Sequence, residues 1–293
     1  MILNSLNIDG FMQFETPCHD CIKNAAERAL VFLNLEDKKR HDVIGKVEDY
    51  LRAINPILTP MELSFGMFEI IQQETGIADP LKSLKTQSNL HALELFSKAK
   101  DTIFTSNDPL FTAIQVAIAG NIIDFGIKSE YNLSETLEEV LKKNPFINDY
   151  ELLKQKLSNA KTLTFLADNA GEIVFDKLLL EQLLSQYSLK KTYLIVKKYP
   201  FGNDIILEDI GELGFEEIPG LEIVALDNLS SKDYTAQIKH YTDQTDVTIS
   251  KGQGNFELLY DRKLGLFFLF IVKCKVVKRI LQSEIGDILI AFQ

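Results

Sequence analysis

After residue 160, short runs rich in β-branched and aromatic residues alternate with stretches that carry the apolar spacing of a helix. No other feature limits the fold so tightly. The runs are 162–167 (TLTFLA), 192–197 (TYLIVK), 221–226 (LEIVAL), 245–250 (TDVTIS) and 266–272 (LFFLFIV), with 288–292 (ILIAF) as a candidate last strand. Helical stretches fill the gaps at 171–187, 204–213, 231–241 and 254–264. Strands this apolar are buried on both faces, and alternation at this spacing gives parallel strands joined by crossover helices. The expected fold is therefore α/β, with a three-layer α/β/α, Rossmann-like domain and a mostly parallel sheet over residues 158–293.

The preceding residues have a different period. Apolar positions 22, 25, 26, 29, 30 and 33 recur at intervals of three and four, and Val43, Ile44, Val47, Tyr50, Leu51 and Ile54 fall on one helical face. Thr59 as N-cap, Pro60 at the first helical position and Gly76 as stop bracket a third helix. Further helices are expected at 81–104, 108–128 and 134–157. Residues 1–157 thus read as a helical N-terminal subdomain.

Composition narrows the partners. Hydrophobic residues make up 46% and charged residues 25% of the 293, the balance of a globular protein. A formal net charge of −11 argues against a nucleic-acid partner, which would need a basic stripe. No apolar run approaches the ~20 residues that span a bilayer, and residues 1–18 lack the basic start and apolar core of a secretory signal. Three cysteines make no disulfide framework, so a cytoplasmic setting is expected. Oligomeric state is not legible.

In a parallel α/β sheet, ligands bind beyond the carboxyl ends of the strands. Those ends carry Asp168-Asn169-Ala170-Gly171-Glu172 after the first run, Asn203-Asp204 after the second, Ser250-Lys251-Gly252-Gln253-Gly254-Asn255 after the fourth and Lys273-Cys274 after the fifth. A hard divalent cation such as Mg²⁺ or Mn²⁺ takes oxygen ligands, few of them protein carboxylates, and leaves positions for water and phosphate. Asp168, the Asn169 carbonyl and Asp204 would supply three such oxygens. The glycines of 250–255 permit a nest of N–H groups, and Lys251 adds a point charge. Each piece alone has an ordinary reading: Asp-Asn is common turn and cap chemistry, and Lys-Gly-Gln-Gly is a flexible loop. Their coincidence on successive strand ends points to a metal and phosphate site.

These residues resemble the metal-dependent damage-control phosphatases, a family formerly catalogued as protein of unknown function eighty-nine. Its relatives include sugar-phosphate phosphatases and acidic-residue methyltransferase-like proteins. The resemblance spans nearly the whole chain and is strongest to the bacterial and archaeal branch. It rests on Cys18-x-x-Cys21, Asp79-Pro80 with Lys82 and Lys85, IAGNIIDFG at 118–126, DNAGEIVFD at 168–176, Asn203-Asp204, SKGQGNFE at 250–257 and Lys273-Cys274. The resemblance implies that Asp168, Asn169 and Asp204 hold a catalytic divalent metal (Mg, Mn, Co or Ni). It likewise implies that Lys273 and the loop Ser250–Asn255 hold the phosphate of a small phosphorylated metabolite. Either water or the Asp168 carboxylate could be the attacking group. Asn121 and Asp124, polar residues in an apolar helix, are expected to line the cleft. Glu172 reads either as an orienting group or general acid, or as an acid suited to a helix's first turn.

Other features are weaker. Cys18-His19-Asp20-Cys21 suggests a zinc or redox pair that Cys274 or a distant His could complete, or merely thiols at the head of a helix. No histidine has a partner spacing suited to a catalytic triad. A carboxyl methyltransferase and a non-catalytic metal- or phosphate-binding protein remain as alternatives, although no Gly-x-Gly loop follows the first strand.

Overall fold

A computed structural model describes residues 16–53, 58–121, 133–211, 213–228 and 230–293. The six expected strands are present as β2 (Thr162–Leu166), β3 (Lys191–Lys197), β4 (Leu221–Leu226), β5 (Val247–Lys251), β6 (Phe267–Ile271) and β7 (Ile288–Phe292). A seventh, β1 (Ile147–Asn148), precedes them. The sheet order is β1-β7-β6-β5-β2-β3-β4. Strands β6, β5, β2, β3 and β4 are mutually parallel, whereas β7 runs antiparallel to β6 and parallel to β1.

Alternate strand residues feed two apolar layers, as the period of two requires. Phe165, Leu194, Ile249, Leu269 and Ile290 point to one side, against α4 (Lys82–Thr105), α5 (Pro109–Gly120), α6 (Leu133–Leu141), α7 (Tyr150–Asn159) and α8 (Glu172–Gln186). Leu166, Ile195, Phe268, Phe270 and Leu289 point to the other. There they meet α10 (Ser231–Thr242), α11 (Gln253–Leu259) and α12 (Lys275–Leu281). Helix α9 (Leu207–Ile210) is a single turn. A third core joins α1 (Thr16–Val31), α2 (Asp37–Arg52) and α3 (Pro60–Thr75) around Leu30, Val47, Leu63 and Met67. The α/β/α layering is as expected.

Local chemistry sets the helix ends. The Thr59 Oγ1 accepts from the Glu62 N–H at 3.2 Å while the Glu62 carboxylate accepts from the Thr59 N–H at 2.8 Å, a complete capping box before Pro60. Gly76 closes the same helix at φ 69°, a left-handed value that costs glycine nothing. Asp108 caps α5 by accepting from the Phe111 N–H at 3.1 Å.

One expected helix is two. The 134–157 stretch breaks at residues 142–149, where Pro145 cannot continue a helix. The chain there donates from Phe146 N–H to the Ile288 carbonyl and from Asp149 N–H to the Ile290 carbonyl, which adds β1 to the sheet edge. A two-residue strand is too short to show a period. The expected 108–128 helix ends at Gly120, and residues 122–128 lie outside the described residues.

Candidate active site at the strand switch point

From β2 the chain steps outward to β3 and β4, then returns to β5 on the other side of β2. The crevice between the carboxyl ends of β2 and β5 is thus the switch point where such sheets bind ligands. Asp168 follows β2 and Gly252 follows β5. A Cβ built on Gly252 would fall 1.9 Å from the Asp168 Oδ2, and Gly252 has φ 80°, so only glycine lets the two loops meet. Gly171, at φ 78°, packs similarly against Ser88 of α4.

The loop after β3 folds back to complete the crevice. Asn169 and Asp204 form an antiparallel bridge, with the Ala170 N–H donating to the Asn203 carbonyl at 2.9 Å and the Ile205 N–H to the Asp168 carbonyl at 2.9 Å. Asn169 and Asp204 are therefore held side by side, and the Asp204 charge is felt by Asp168. Helix α4 fixes both loops from behind. The Asn89 Oδ1 accepts from the Gly171 N–H at 2.6 Å, and the buried Lys85 lies 2.7 Å from an Asp79 oxygen and 2.6 Å from an Asp209 oxygen.

A bonded polar network surrounds Asp168. Its Oδ2 accepts from Asn169 Nδ2 at 2.6 Å and from Asn121 Nδ2 at 2.9 Å. Asn121 also donates to the Glu172 Oε2 at 2.5 Å, and Asn169 does so at 3.4 Å. The other Glu172 oxygen accepts from Lys251 Nζ at 2.6 Å. Lys251 further donates to the Ala117 carbonyl at 3.0 Å and to Asp176. Lys197, at the end of β3, donates to the Asp204 Oδ2 between the rings of Phe201 and Tyr234.

The electrostatics are those of an acid excess. Burial, with Glu172 and Asp204 nearby, pushes Asp168 well above the usual carboxylate range, against the pull of Lys197 and Lys273. Burial also raises Asp204, more than Lys197 lowers it. Asp176 is raised to about 7, by burial first and by Glu172, with Lys251 opposing. Burial works against the charged form of Lys251, but Asp176 and Glu172 push it up; Lys197 is pushed up past the same burial effect by Asp204.

Four buried carboxylates (Asp168, Glu172, Asp176, Asp204) face two buried ammonium groups (Lys197, Lys251), so the fully ionised network carries two negative charges in excess. One divalent cation would offset that excess. The Asn121 Oδ1 is buried without a hydrogen-bond partner among the described residues, one more oxygen left without a donor. All the donors are oxygens, the choice of a hard cation. Among the described residues no three His, Cys, Asp or Glu side chains form a metal cage, so a cation here would rest on two carboxylates plus amide oxygen, as Mg²⁺-type sites do. The donor set fits.

Two cavities open beside this network, beneath α1. One of about 200 Å³ has Asp204, Asn203, Gly202 and Phe201 on its wall. Another of about 520 Å³ has Gln253, Glu257, Lys273 and Cys274. Gln253 accepts from the Lys273 N–H at 2.8 Å and donates to Glu257 at 2.7 Å, joining the loops after β5 and β6. Asn255 donates to the Ala167 and Lys251 carbonyls, at 3.1 and 2.8 Å, and fastens the β5 loop to the end of β2. Gly254 lies against Met61 of α3.

The structure thus gathers Asp168, Asn169, Asp204, Glu172, Asn121 and Gly252 around one crevice, with Lys273 at its mouth. It places Lys251 differently from the expectation. That ammonium is buried and committed to Glu172, Asp176 and the Ala117 carbonyl, while Ser250 is buried beneath the loop with its hydroxyl unpaired among the described residues. Asp124 lies outside the described residues. Lys197 and Asp176 were not anticipated as site groups. A lysine that closes an apolar strand was the available signal for the first, and the Asp at 176, one turn beyond Glu172, for the second. Cys18, Cys21 and Cys274 form no disulfide among the described residues and stand on the wall of the larger cavity, and among the described residues no metal-binding group includes them. No helix among the described residues is long and apolar enough to cross a membrane.

Comparison with known proteins bears on the family and the fold. Residues 15–289 match the family model described as "Damage-control phosphatase ARMT1-like domain". A damage-control phosphatase of Pyrococcus horikoshii is 29% identical over 285 residues, 94% of this chain and 96% of that protein. One from Archaeoglobus fulgidus is 30% identical over 225 residues, 72% of this chain and 75% of that protein. An uncharacterised protein of Methanocaldococcus jannaschii is 30% identical over 98% of both chains. The crystal structure of a DUF89 family protein from Pyrococcus horikoshii superposes with a TM-score of 0.81 at 25% identity, covering 96% of this chain and 99% of that one.

Proposed function

The chain belongs to the damage-control phosphatase ARMT1-like family, and on that footing we propose that it is a metal-dependent phosphatase hydrolysing phosphomonoesters of small metabolites. The observation that carries this reading is the gathering of Asp168, Asn169 and Asp204 at the switch point, where buried carboxylates outnumber the ammonium groups bonded to them, beside cavities walled by Lys273 and Asp204. Asp168, Asn169 and Asp204 would hold the divalent cation (Mg, Mn, Co or Ni). When bound, such a cation supplies Lewis-acid polarisation of a phosphoryl oxygen.

The chain's own groups do the rest. Lys273, whose charge is already felt by Asp168, neutralises phosphoryl charge at the crevice mouth. Gly252 lets the β5 backbone close on Asp168. Glu172 has both oxygens bonded, one to Lys251 and one to Asn121 and Asn169, which supports an orienting role over proton donation. Lys251 in turn holds Glu172. Either a water attacks phosphorus as the P–O ester bond breaks, its proton leaving with the alcohol, or the Asp168 carboxylate attacks and displaces the alcohol, and water then cleaves the acyl phosphate to phosphate and free Asp168. The protein acts on small molecules within the cytoplasm, its acidity disfavouring nucleic acid.

The test is hydrolysis of p-nitrophenyl phosphate with Mn²⁺, Co²⁺, Ni²⁺ or Mg²⁺. Activity that a chelator abolishes and added metal restores is expected; turnover indifferent to chelation would reject the reading. The same metal should stabilise the fold by about 2.7 kcal/mol at one hundred times its Kd.

A further inference from the structure

Arg28 sits in the last turn of α1, where a cation suits the helix dipole and would ordinarily extend into solvent. Instead it is half-buried and lines both cavities, a position shared only with Met61 and Ser64 among the lining residues. Its guanidinium makes no hydrogen bond or ion pair among the described residues. The contrast with other arginines is direct: Arg52 lies 2.8 Å from Glu48, and Arg40 lies 3.6 Å from Asp37. Neither acid on the larger cavity's wall, Asp20 or Glu257, is bonded to it.

A half-buried guanidinium gives up hydration, and a carboxylate or phosphate bound through its fork of donors would restore that loss. Across the smaller cavity stands Asp204. That space, at about 200 Å³, is below the roughly 300–1,000 Å³ of a drug-sized ligand site, so it suits a compound of a few carbons. Lys273 stands on the wall of the larger cavity. A substrate whose phosphoryl group lies at the crevice therefore has a second end within reach of Arg28.

We propose that Arg28 is the recognition residue for a second anionic group, so that the preferred substrates are small phosphomonoesters bearing a carboxylate or another phosphate at the end remote from the scissile bond. This rests on the phosphatase reading for which phosphate is cleaved. The recognition itself can be measured without turnover. Calorimetric titration of the protein loaded with Ca²⁺, under conditions checked to give no turnover, compares 3-phosphoglycerate with glycerol 3-phosphate, and fructose 1,6-bisphosphate with fructose 6-phosphate. At least one pair should show about a 10- to 100-fold preference for the doubly anionic member, the size of a charge-assisted contact. Which pair shows it tells carboxylate from phosphate recognition. Arg28→Gln should collapse the preference toward unity, and Arg28→Lys should retain part of it, since a point charge replaces a planar fork. A merely structural Arg28 would change affinity for both members alike and leave their ratio intact. No preference in the unaltered protein, or a ratio unmoved by either substitution, overturns the proposal. If Arg28→Gln fails to fold, the Arg28→Lys ratio decides. Preferential binding without hydrolysis of any of these esters would reject the phosphatase reading alone; hydrolysis without preference would reject the role of Arg28 alone.

Discussion

The lysines behind Asp168 and the cations in front of it are built for different tasks. Lys251 and Lys197 are buried, and each is bonded to a carboxylate of the network. Lys273 is exposed at the cavity mouth, and Arg28 is half-buried with no carboxylate bonded to it among the described residues. A lysine surrounded by acids has its charge already spent on them, so it can fix their positions but offers little to an incoming anion. A guanidinium on a cavity wall with no acid bonded to it among the described residues has the reverse properties. The difference teaches that residue type at a strand end does not reveal role; which way the side chain runs from the sheet edge decides it.

Several substitutions would break or sharpen this contrast. Asp168→Asn strikes the point where the two regions meet. It should lower kcat by at least about 10³-fold, as loss of a principal electrostatic group does, while Tm holds or rises because a carboxylate disfavoured by burial is gone. Retained activity would remove Asp168 from the chemistry. Lys251→Met leaves Glu172 and Asp176 buried and uncompensated, so denaturant unfolding should show a loss of about 3–5 kcal/mol. A variant as stable as its parent would mean that Lys251 is no positioning group.

Gly252→Ala is expected next in size. Its methyl would meet the Asp168 carboxylate and hold a left-handed φ, costing about 1–3 kcal/mol and moving Asp168 off its neighbours. Activity should fall more than stability; an active, well-folded alanine variant would show that the two loops need not touch.

Lys273→Gln belongs to the outer group. Its KM for phosphate esters should rise about 10- to 30-fold with Tm unchanged, the mirror image of Lys251→Met. Equal losses of stability in the two lysine variants would erase the distinction drawn here.

The smallest effect is a pH dependence. Glu257, half-buried on the larger cavity's wall, is raised to about 7 by burial, with Gln253 opposing. The folded protein therefore holds this proton to higher pH than the unfolded chain. Its contribution to stability is at its fullest below pH 4.5 and declines as pH rises through about 7. Glu257→Gln should match the parent near pH 4.5 and exceed it by about 1–2 kcal/mol at pH 8, a figure discounted for the solvent that the cavity admits. Stability curves that stay parallel from pH 4.5 to 8 would contradict the shift.

Much of this architecture was legible before any coordinates. Six of the seven strands announce themselves as apolar, β-branched runs, five of them largely buried and the edge strand β4 only partly, and Thr59-Pro60 with Gly76 marks a helix by its cap chemistry alone. What was hidden depends on contacts distant in the chain. Strand β1 is two residues of pairing with β7 about 140 positions later, below any periodic signal. Lys197 ends a strand like any polar residue, and only the fold-back that bridges Asn169 to Asp204 gives it a partner. Lys251 ends β5, just before glycines whose sequence reads as an anion cradle. Its side chain turns inward because Glu172 and Asp176, on the first turns of α8, present two carboxylates there. Arg28 lies in an amphipathic helix where nothing in the spacing tells a cavity-facing arginine from a solvated one.

The claim on which the account turns is that Asp168 and Asp204 jointly hold a divalent cation at the β2–β5 switch point. Anomalous scattering from crystals grown with Mn²⁺ tests it directly. A peak at bonding distance from oxygens of both carboxylates is the predicted result. A manganese site elsewhere in the chain, with the crevice between Asp168 and Asp204 holding only water, would contradict it.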